Sequence, residues 1–339
     1  MSIEPFGRLD SSPEIRNKIL PYCRLKTGEI WVDPIKGHRV GVLDATKHED
    51  VLNIFGKEKA TLAVQDPPYN VIVGAENTDN LFKMTLKEYM LYSKKWIENN
   101  IKYLSDNSSL YIWLGADQKE HYQPLPDFMI MMRDYQEMKS RSYITMRNQR
   151  GYGTQKNWMA VRQECLYYIK GDPCFDVKAE YTDIPKILRG YYKEVNGQIT
   201  ENIERSKSEN IRAGNVWVDI QQVFYRLEEN VPGCYAQKPL KCIERIVKAS
   251  SKEGDLITDF FSHSGTTLII GEMLKRKVFT FDIDPIFAEL TIRRLEKYRT
   301  SEKKGWQYTN PFPEITDHIL TEKENDNRCF SKIQQTTLL

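Results

Sequence analysis

The 339-residue chain is poor in the features that announce metal, disulfide or nicotinamide chemistry. Its six cysteines, at 23, 165, 174, 234, 242 and 329, include no C-x-x-C pair, and its five histidines, at 38, 48, 121, 263 and 318, never stand at metal-ligand spacing. Zinc sites, a disulfide framework and a nucleophile, base and orienter triad are argued against, and reduced structural thiols are expected. No G-x-G-x-x-G is present, which weakens a nicotinamide or flavin reading. No apolar run approaches the roughly 20 residues that cross a bilayer, and the opening MSIEPFGRLDSSPEIRNK lacks a signal-peptide core. A cytosolic protein without a membrane partner is expected, nucleoid-associated if the source is prokaryotic. An excess of either charge is also missing: 49 basic and 47 acidic side chains leave +2, so neither a polycationic coat nor a disordered polyelectrolyte fits. There is no internal repeat.

What is present suits a packed α/β protein, since hydrophobic residues make up 40% of the chain and aromatics 11%. ATLAVQDPPYN reads as a buried strand, Thr61 to Gln65, stopped at Asp66 because consecutive prolines cannot continue a ladder. A helix from Thr85 to about Ile101 and a second buried strand, Ser109 to Gly115, complete a βαβ unit. Strands are expected at Tyr143 to Met146 and Cys165 to Ile169, separated by the glycine-containing loop RNQRGYGTQKN. After a weakly periodic stretch, Leu240, Ile243, Ile246 and Val247 form the stripe of a helix that opens at Pro239 and ends by Glu253 and Gly254. DLITDFFSHSGTTLIIGEMLKRKVFTFDIDP then reads strand, loop, helix, strand, and a last helix runs from about Ile286 to Tyr298. The expected architecture is a doubly wound, mostly parallel α/β sheet. Its parts are an N-terminal extension (1–37), a half carrying D-P-P-Y (38–170), an inserted region (171–235), a second half (236–300) and a polar tail (301–339).

Asp66-Pro67-Pro68-Tyr69 joins an acceptor, a rigid backbone whose carbonyls stay out of the sheet, and a stacking ring. Such a set suits a planar amine: Asp66 and the Pro67 carbonyl can each accept one N–H, and Tyr69 can stack on a base flipped out of a duplex. The second motif, Asp259-Phe260-Phe261-Ser262-His263-Ser264-Gly265-Thr266-Thr267, is a strand end and tight loop opening a helix. Asp282 closes the next strand, roughly 20 residues past the loop, where a carboxylate accepts from two ribose hydroxyls. A nucleoside cofactor without a pyrophosphate fits this pair. From Lys139 to Arg162 the cations Lys139, Arg141, Arg147, Arg150, Lys156 and Arg162 alternate with Tyr143, Tyr152 and Trp158 and no acid until beyond Arg162. That pattern suits phosphates and an exposed base.

In this order the two motifs resemble the β group of S-adenosylmethionine-dependent amino methyltransferases acting on DNA bases. The resemblance covers roughly residues 40 to 298 and includes Gln237-Lys238-Pro239 as the Q-K-P element and GVLDATKHEDVL, with Asp44, as the opening segment. It implies a Rossmann-like methyltransferase fold in permuted motif order, with S-adenosyl-L-methionine held by Asp44, Lys238, Pro239, Asp259, Phe260, Phe261, Ser264, Gly265, Thr266 and Asp282. It implies a target amine held by Asp66, Pro67, Pro68 and Tyr69, without metal or covalent intermediate. Residues 171–235 become the target-recognition region, with Arg189, Lys193, Arg205, Lys207 and Arg212 as further contacts to double-stranded DNA. Asp before Pro-Pro-Tyr favours N6 of adenine; N4 of cytosine and RNA adenine are the runners-up. A cognate restriction enzyme, a second methylase subunit or a homodimer is the protein partner such an enzyme takes. Phe260 and His263 depart from the family's proline and glycine, so the cofactor loop is expected to bend differently while still binding; a catalytically silent nucleic-acid-binding subunit is the alternative. Pro173-Cys174 resembles the nucleophile of C5-cytosine methyltransferases, but in a surface turn after D-P-P-Y it is read as incidental.

Overall fold

The computed structural model describes residues 9, 13–69, 84–115, 123–154, 157–185, 191–202, 209–223, 226–234, 237–307 and 309–315. Its strands are β1 Ile30–Val32, β2 Arg39–Val42, β3 Ala60–Gln65, β4 Leu104–Gly115, β5 Met138–Thr154, β6 Asn157–Lys170, β7 Tyr181–Pro185, β8 Tyr191–Val195, β9 Gln198–Asn202, β10 Asn210–Arg212, β11 Val216–Trp217, β12 Leu256–Asp259 and β13 Lys277–Asp282. Its α-helices are α1 Pro13–Ile19, α2 His48–Phe55, α3 Leu86–Lys102, α4 Pro124–Met131, α5 Leu240–Ser250, α6 Thr266–Met273 and α7 Pro285–Ser301. Nine strands form one sheet in the order β1-β2-β13-β12-β3-β4-β6-β5-β11. The pairs from β2 to β4 are all parallel, as helical crossovers require, and β6 and β5 run antiparallel beyond them. Two apolar cores cover the two faces, one under α5, α6 and α7 with Ile243, Ile246 and Ile269, the other under α2 and α3 with Phe55, Trp96 and Ile97.

The expected elements are present with longer strands. Thr85 caps α3 through a reciprocal pair with Glu88, which fixes that helix's start at the expected residue. The main correction lies between Arg147 and Asn157: the residues expected as a loop continue β5 and β6 as a long hairpin, Arg147 opposite Arg162 and Tyr152 opposite Ala160. The pairing is irregular there, with the register shifting between Arg147 and Tyr152 and again between Tyr152 and Thr154, as strand glycine is costly but not prohibitive. Two further expectations change. Residues 13–37 are stitched to the sheet rather than forming an extension: β1 joins it, Arg24 pairs with Glu289, and Arg299 forks onto Asp33 at 2.7 and 2.8 Å. The start of the expected tail is likewise docked, with Trp306 and Phe312 buried beside Ile19, Val231 and Phe287. Within the expected inserted region the described residues form two small sheets, β7 with β10 and β8 with β9, while β11 adds to β5.

Candidate active site

Strands β2, β13, β12 and β3 all end on one side of the sheet, so the acidic residues at or just past their ends gather there. The Asp66 side chain is 26% exposed, and its first partner is Lys238, which is buried. Lys238 Nζ donates to Asp66 Oδ1 at 2.8 Å, to Asp66 Oδ2 at 2.9 Å and to the Tyr69 hydroxyl at 2.6 Å, and Tyr69 in turn donates to Asp66 Oδ1. A carboxylate offers about four lone-pair positions; three are taken, and one on Oδ2 is left for an incoming N–H. Burial and the adjacent Asp66 push the Tyr69 phenol well above its ordinary range, so it stays a donor. The Tyr89 hydroxyl donates to the Pro68 carbonyl at 2.8 Å and holds the turn, while no group among the described residues takes the Pro67 carbonyl. The Tyr69 ring lies against Gly115, where an added Cβ would come within 3.1 Å of it, and Lys238 Nζ is 5.0 Å from its centre.

Gln237, Lys238 and Pro239 therefore act as a bracket. Gln237 spans Glu229 and Val231 through its carboxamide, Lys238 reaches the turn at Asp66, and Pro239 caps α5. Sequence reasoning assigned Lys238 to the cofactor; the structure places its ammonium on Asp66 and its carbonyl on Thr266 Oγ1.

The second motif is built around two carboxylates. Asp259, buried at the end of β12, accepts from Phe261 N at 3.0 Å and Thr267 Oγ1 at 2.6 Å; burial nonetheless pushes its acid up to about 7. Asp282 accepts from His263 N at 2.9 Å and Asp284 N at 3.1 Å, which leaves half its lone pairs for a ligand's hydroxyls. Burial, with Asp284 beside it, raises Asp282 to about 7 as well. Asp44 sits past β2, next to this end of β13, accepting from Thr46. The two departures in the loop have structural answers. Phe260 is a core residue against Phe281 and Phe55, and its backbone N–H is used. His263 carries the positive φ of 42° that a glycine would take freely, and its ring packs edge-on against Phe287 at 4.8 Å. Gly265 is left-handed at φ 73°, and an added Cβ would sit 3.0 Å from the Thr291 backbone, so this position serves the packing of α6 on α7. Ser264 Oγ and Thr266 Oγ1 are 3.1 Å apart beneath the loop, and Phe261 stands edge-on to Trp96.

Several contributors escaped the sequence reading. Gln65, the last residue of β3, is buried, and the signal was a polar residue closing an otherwise apolar strand. Tyr92, one turn after Tyr89 on α3, has its phenol raised by burial first and then by the charges of Asp44 and Asp282. Arg294, buried on α7, binds the carbonyls of Ser264, Lys304 and Glu229; a cation inside an apolar stripe was its signal.

The basic residues are not gathered as one patch. Arg147 and Arg162 are exposed on the hairpin beyond the Asp66 end of the sheet, with Trp158 also on it, 92% exposed. Lys139 and Arg141 fall toward the opposite end of β5, Lys139 across from Ile169. Arg141 and Arg212 instead line a cleft of about 380 Å³ with Tyr167 and Trp217. The side chain of Arg150, and Lys156, Arg189, Arg205 and Lys207 altogether, lie outside the described residues, as does the Lys193 side chain. Cys174 is exposed, and Cys165, Cys234 and Cys242 are buried and form no disulfide, with burial pushing Cys242 up to about 12. No group of metal-binding side chains and no helix able to cross a membrane occurs among the described residues.

Carboxylates at the open ends of parallel strands, beside a tight strand-to-helix loop, are the setting in which α/β enzymes bind their ligands. Residues 60–293 match the N6/N4 family described as DNA methylase, and the chain belongs to that family of S-adenosylmethionine-dependent DNA methyltransferases. It is similar to Type II methyltransferase M.HpaI of Haemophilus parainfluenzae, 26% identical over 69% of this chain and 68% of that protein. It is also similar to DNA adenine methyltransferase YhdJ of Escherichia coli K12, 27% identical over 74% of this chain and 81% of that one. The solved PvuII DNA methyltransferase, cytosine-N4-specific, shares the fold at a TM-score of 0.52 and 14% identity, covering 75% of this chain and 84% of that one.

Proposed function

We propose that the chain methylates the N6 amine of adenine in double-stranded DNA by direct displacement. The observation that carries this reading is the one lone-pair position left on Asp66 Oδ2, next in sequence to a Pro67 carbonyl that has no partner among the described residues. An exocyclic amine has two N–H groups to fill those two acceptors; its nitrogen lone pair then points away from the ring plane and is free to attack. Lys238 and Tyr69 keep Asp66 in one orientation, so the amine meets a preorganised acceptor. The residues fit the family's methyl donor: Asp282 for its ribose hydroxyls, Asp44 and Tyr92 beside it, the loop of Phe261 and Ser264, and the buried Ser262 hydroxyl, which has no partner among the described residues. When bound, S-adenosylmethionine supplies an electrophilic methyl group. Asp rather than Ser at position 66 and the likeness to a DNA adenine methyltransferase support adenine over cytosine. Arg147, Arg162 and Trp158, projecting from the edge of the sheet beyond Asp66, are the groups proposed to meet phosphates and a base.

The test is Asp66→Ala in single-turnover methylation. Loss of one preorganised contact to the reacting group costs about 3 kcal/mol, so the rate should fall by roughly 10² or more. Cofactor affinity by calorimetry should stay near wild type, and a thermal melt should show the variant still folded at the assay temperature, with a lowered midpoint because buried Lys238 loses its carboxylate. A near wild-type rate would remove Asp66 from the chemistry.

A further inference from the structure

The backbone ladder between β3 and β12 is short: Leu62 faces Ile257, Ala63 faces Thr258, and pairing stops there. Beyond it the two strands must part, because one leads into the amine-accepting turn at Asp66 and the other into the cofactor loop at Phe260. Something has to hold their relative height across that split, since a 1 Å misplacement of reacting groups can cost about 10² in rate. Backbone groups no longer do so.

Gln65 stands in the gap. Its side chain is fully buried, its Oε1 accepts from Phe260 N at 2.9 Å, and its Nε2 lies 3.5 Å from the Thr258 carbonyl. One carboxamide thus reproduces, from a side chain, the donor and acceptor pair that the next ladder position would supply. The link depends on Phe260 having an N–H, which a proline there would lack. Gln65 is joined directly to Asp66, and Phe260 lies between Asp259 and Phe261, so the connection runs with no flexible residue between the amine acceptor and the cofactor loop.

We propose that Gln65 is a positioning residue that sets the amine-accepting turn against the cofactor loop through its hydrogen bond to the Phe260 amide. The inference rests on the methyltransfer reading above and names how its two halves are kept in register.

Two variants test it. Gln65→Met keeps length and removes the acceptor. Gln65→Glu, when neutral, can still accept from Phe260 and donate to Thr258. In Gln65→Met, hydrogen exchange at the Phe260 amide, followed by mass spectrometry of the peptide spanning it, should quicken at least about tenfold as the bond is lost. At saturating S-adenosylmethionine its single-turnover rate should fall about tenfold or more, with the calorimetric Kd within about threefold of wild type. Gln65→Glu should recover most of the rate at low pH and lose it as the carboxyl ionises against the Thr258 carbonyl, with the melting temperature at each pH separating lost positioning from lost stability. Unchanged exchange and rate in Gln65→Met would overturn the proposal, as would equal losses in both variants that follow their melting temperatures at every pH. Were the wild type to methylate no DNA, the functional reading would fall separately, and unchanged Phe260 exchange would still overturn the link.

Discussion

The crevice at the strand ends and the β5–β6 hairpin use polar residues in opposite ways. In the crevice every carboxylate is bonded: Asp66 to Lys238 and Tyr69, Asp259 to Thr267 and Phe261, Asp282 to His263 and Asp284. On the hairpin Arg147 is exposed and Trp158 almost wholly so. Buried, bonded groups are expensive to reorient and suit a reaction that needs fixed geometry, whereas exposed cations suit a partner whose phosphates are met from water. The comparison predicts that damage in the crevice appears as lost rate or lost cofactor affinity, and damage on the hairpin as lost DNA affinity that salt modulates.

Lys238→Met is the strongest probe of the crevice after Asp66 itself. Breaking a charge pair of this kind costs roughly 2 kcal/mol or more, so the methylation rate should drop about 30-fold. If Lys238 instead served the cofactor, calorimetry would show the loss in Kd with the saturated rate intact. Asp282→Ala should weaken cofactor binding by about tenfold through one to two lost hydrogen bonds, with the saturated rate little changed. An unchanged Kd would remove the ribose role. The wild-type protein carries a related signature. Because burial raises Asp282 to about 7, the proton competes with ribose hydroxyls below that pH, and affinity should tighten as pH rises through about 7. Well below it the Kd should weaken and level off near the tenfold loss expected of Asp282→Ala, and a flat profile from pH 6 to 8 would contradict the assignment.

The hairpin should respond more mildly. Neutralising Arg147 and Arg162 together should weaken binding to DNA of any sequence several-fold and reduce the log-log salt slope by about 0.9 per contact. A change of preferred sequence with an unchanged slope would place them at base edges instead. The smallest effect is expected from Cys174→Ser: the thiol is exposed in the stretch after β6, away from Asp66, and methylation should stay within about twofold of wild type. A covalent DNA adduct at Cys174 would contradict amine methylation.

The fold was legible where hydrophobic period and strand-stopping residues agree. Asp66 before two prolines, and Asp259 and Asp282 at the ends of short apolar runs, announced both strand ends and carboxylates. Legibility failed where tertiary pairing overrode local signals. The glycines at 151 and 153 read as a loop, but they lie within β5, at the register shifts of its pairing with β6. The ion pairs that fasten residues 13–37 to α7 join positions more than 260 apart in sequence, which no local pattern reports. Lys238 was singled out for the cofactor without its bond to Asp66 being foreseen, because Asp66 lies 172 residues away and only the folded sheet brings them together.

The central claim is that Asp66 presents the amine of an adenine in DNA. Nucleoside mass spectrometry of DNA methylated by the purified wild type and by Asp66→Ala tests it most directly. The account predicts N6-methyladenine from the wild type and none from the variant over the same single-turnover interval. N4-methylcytosine, or equal N6-methyladenine from both proteins, would contradict it.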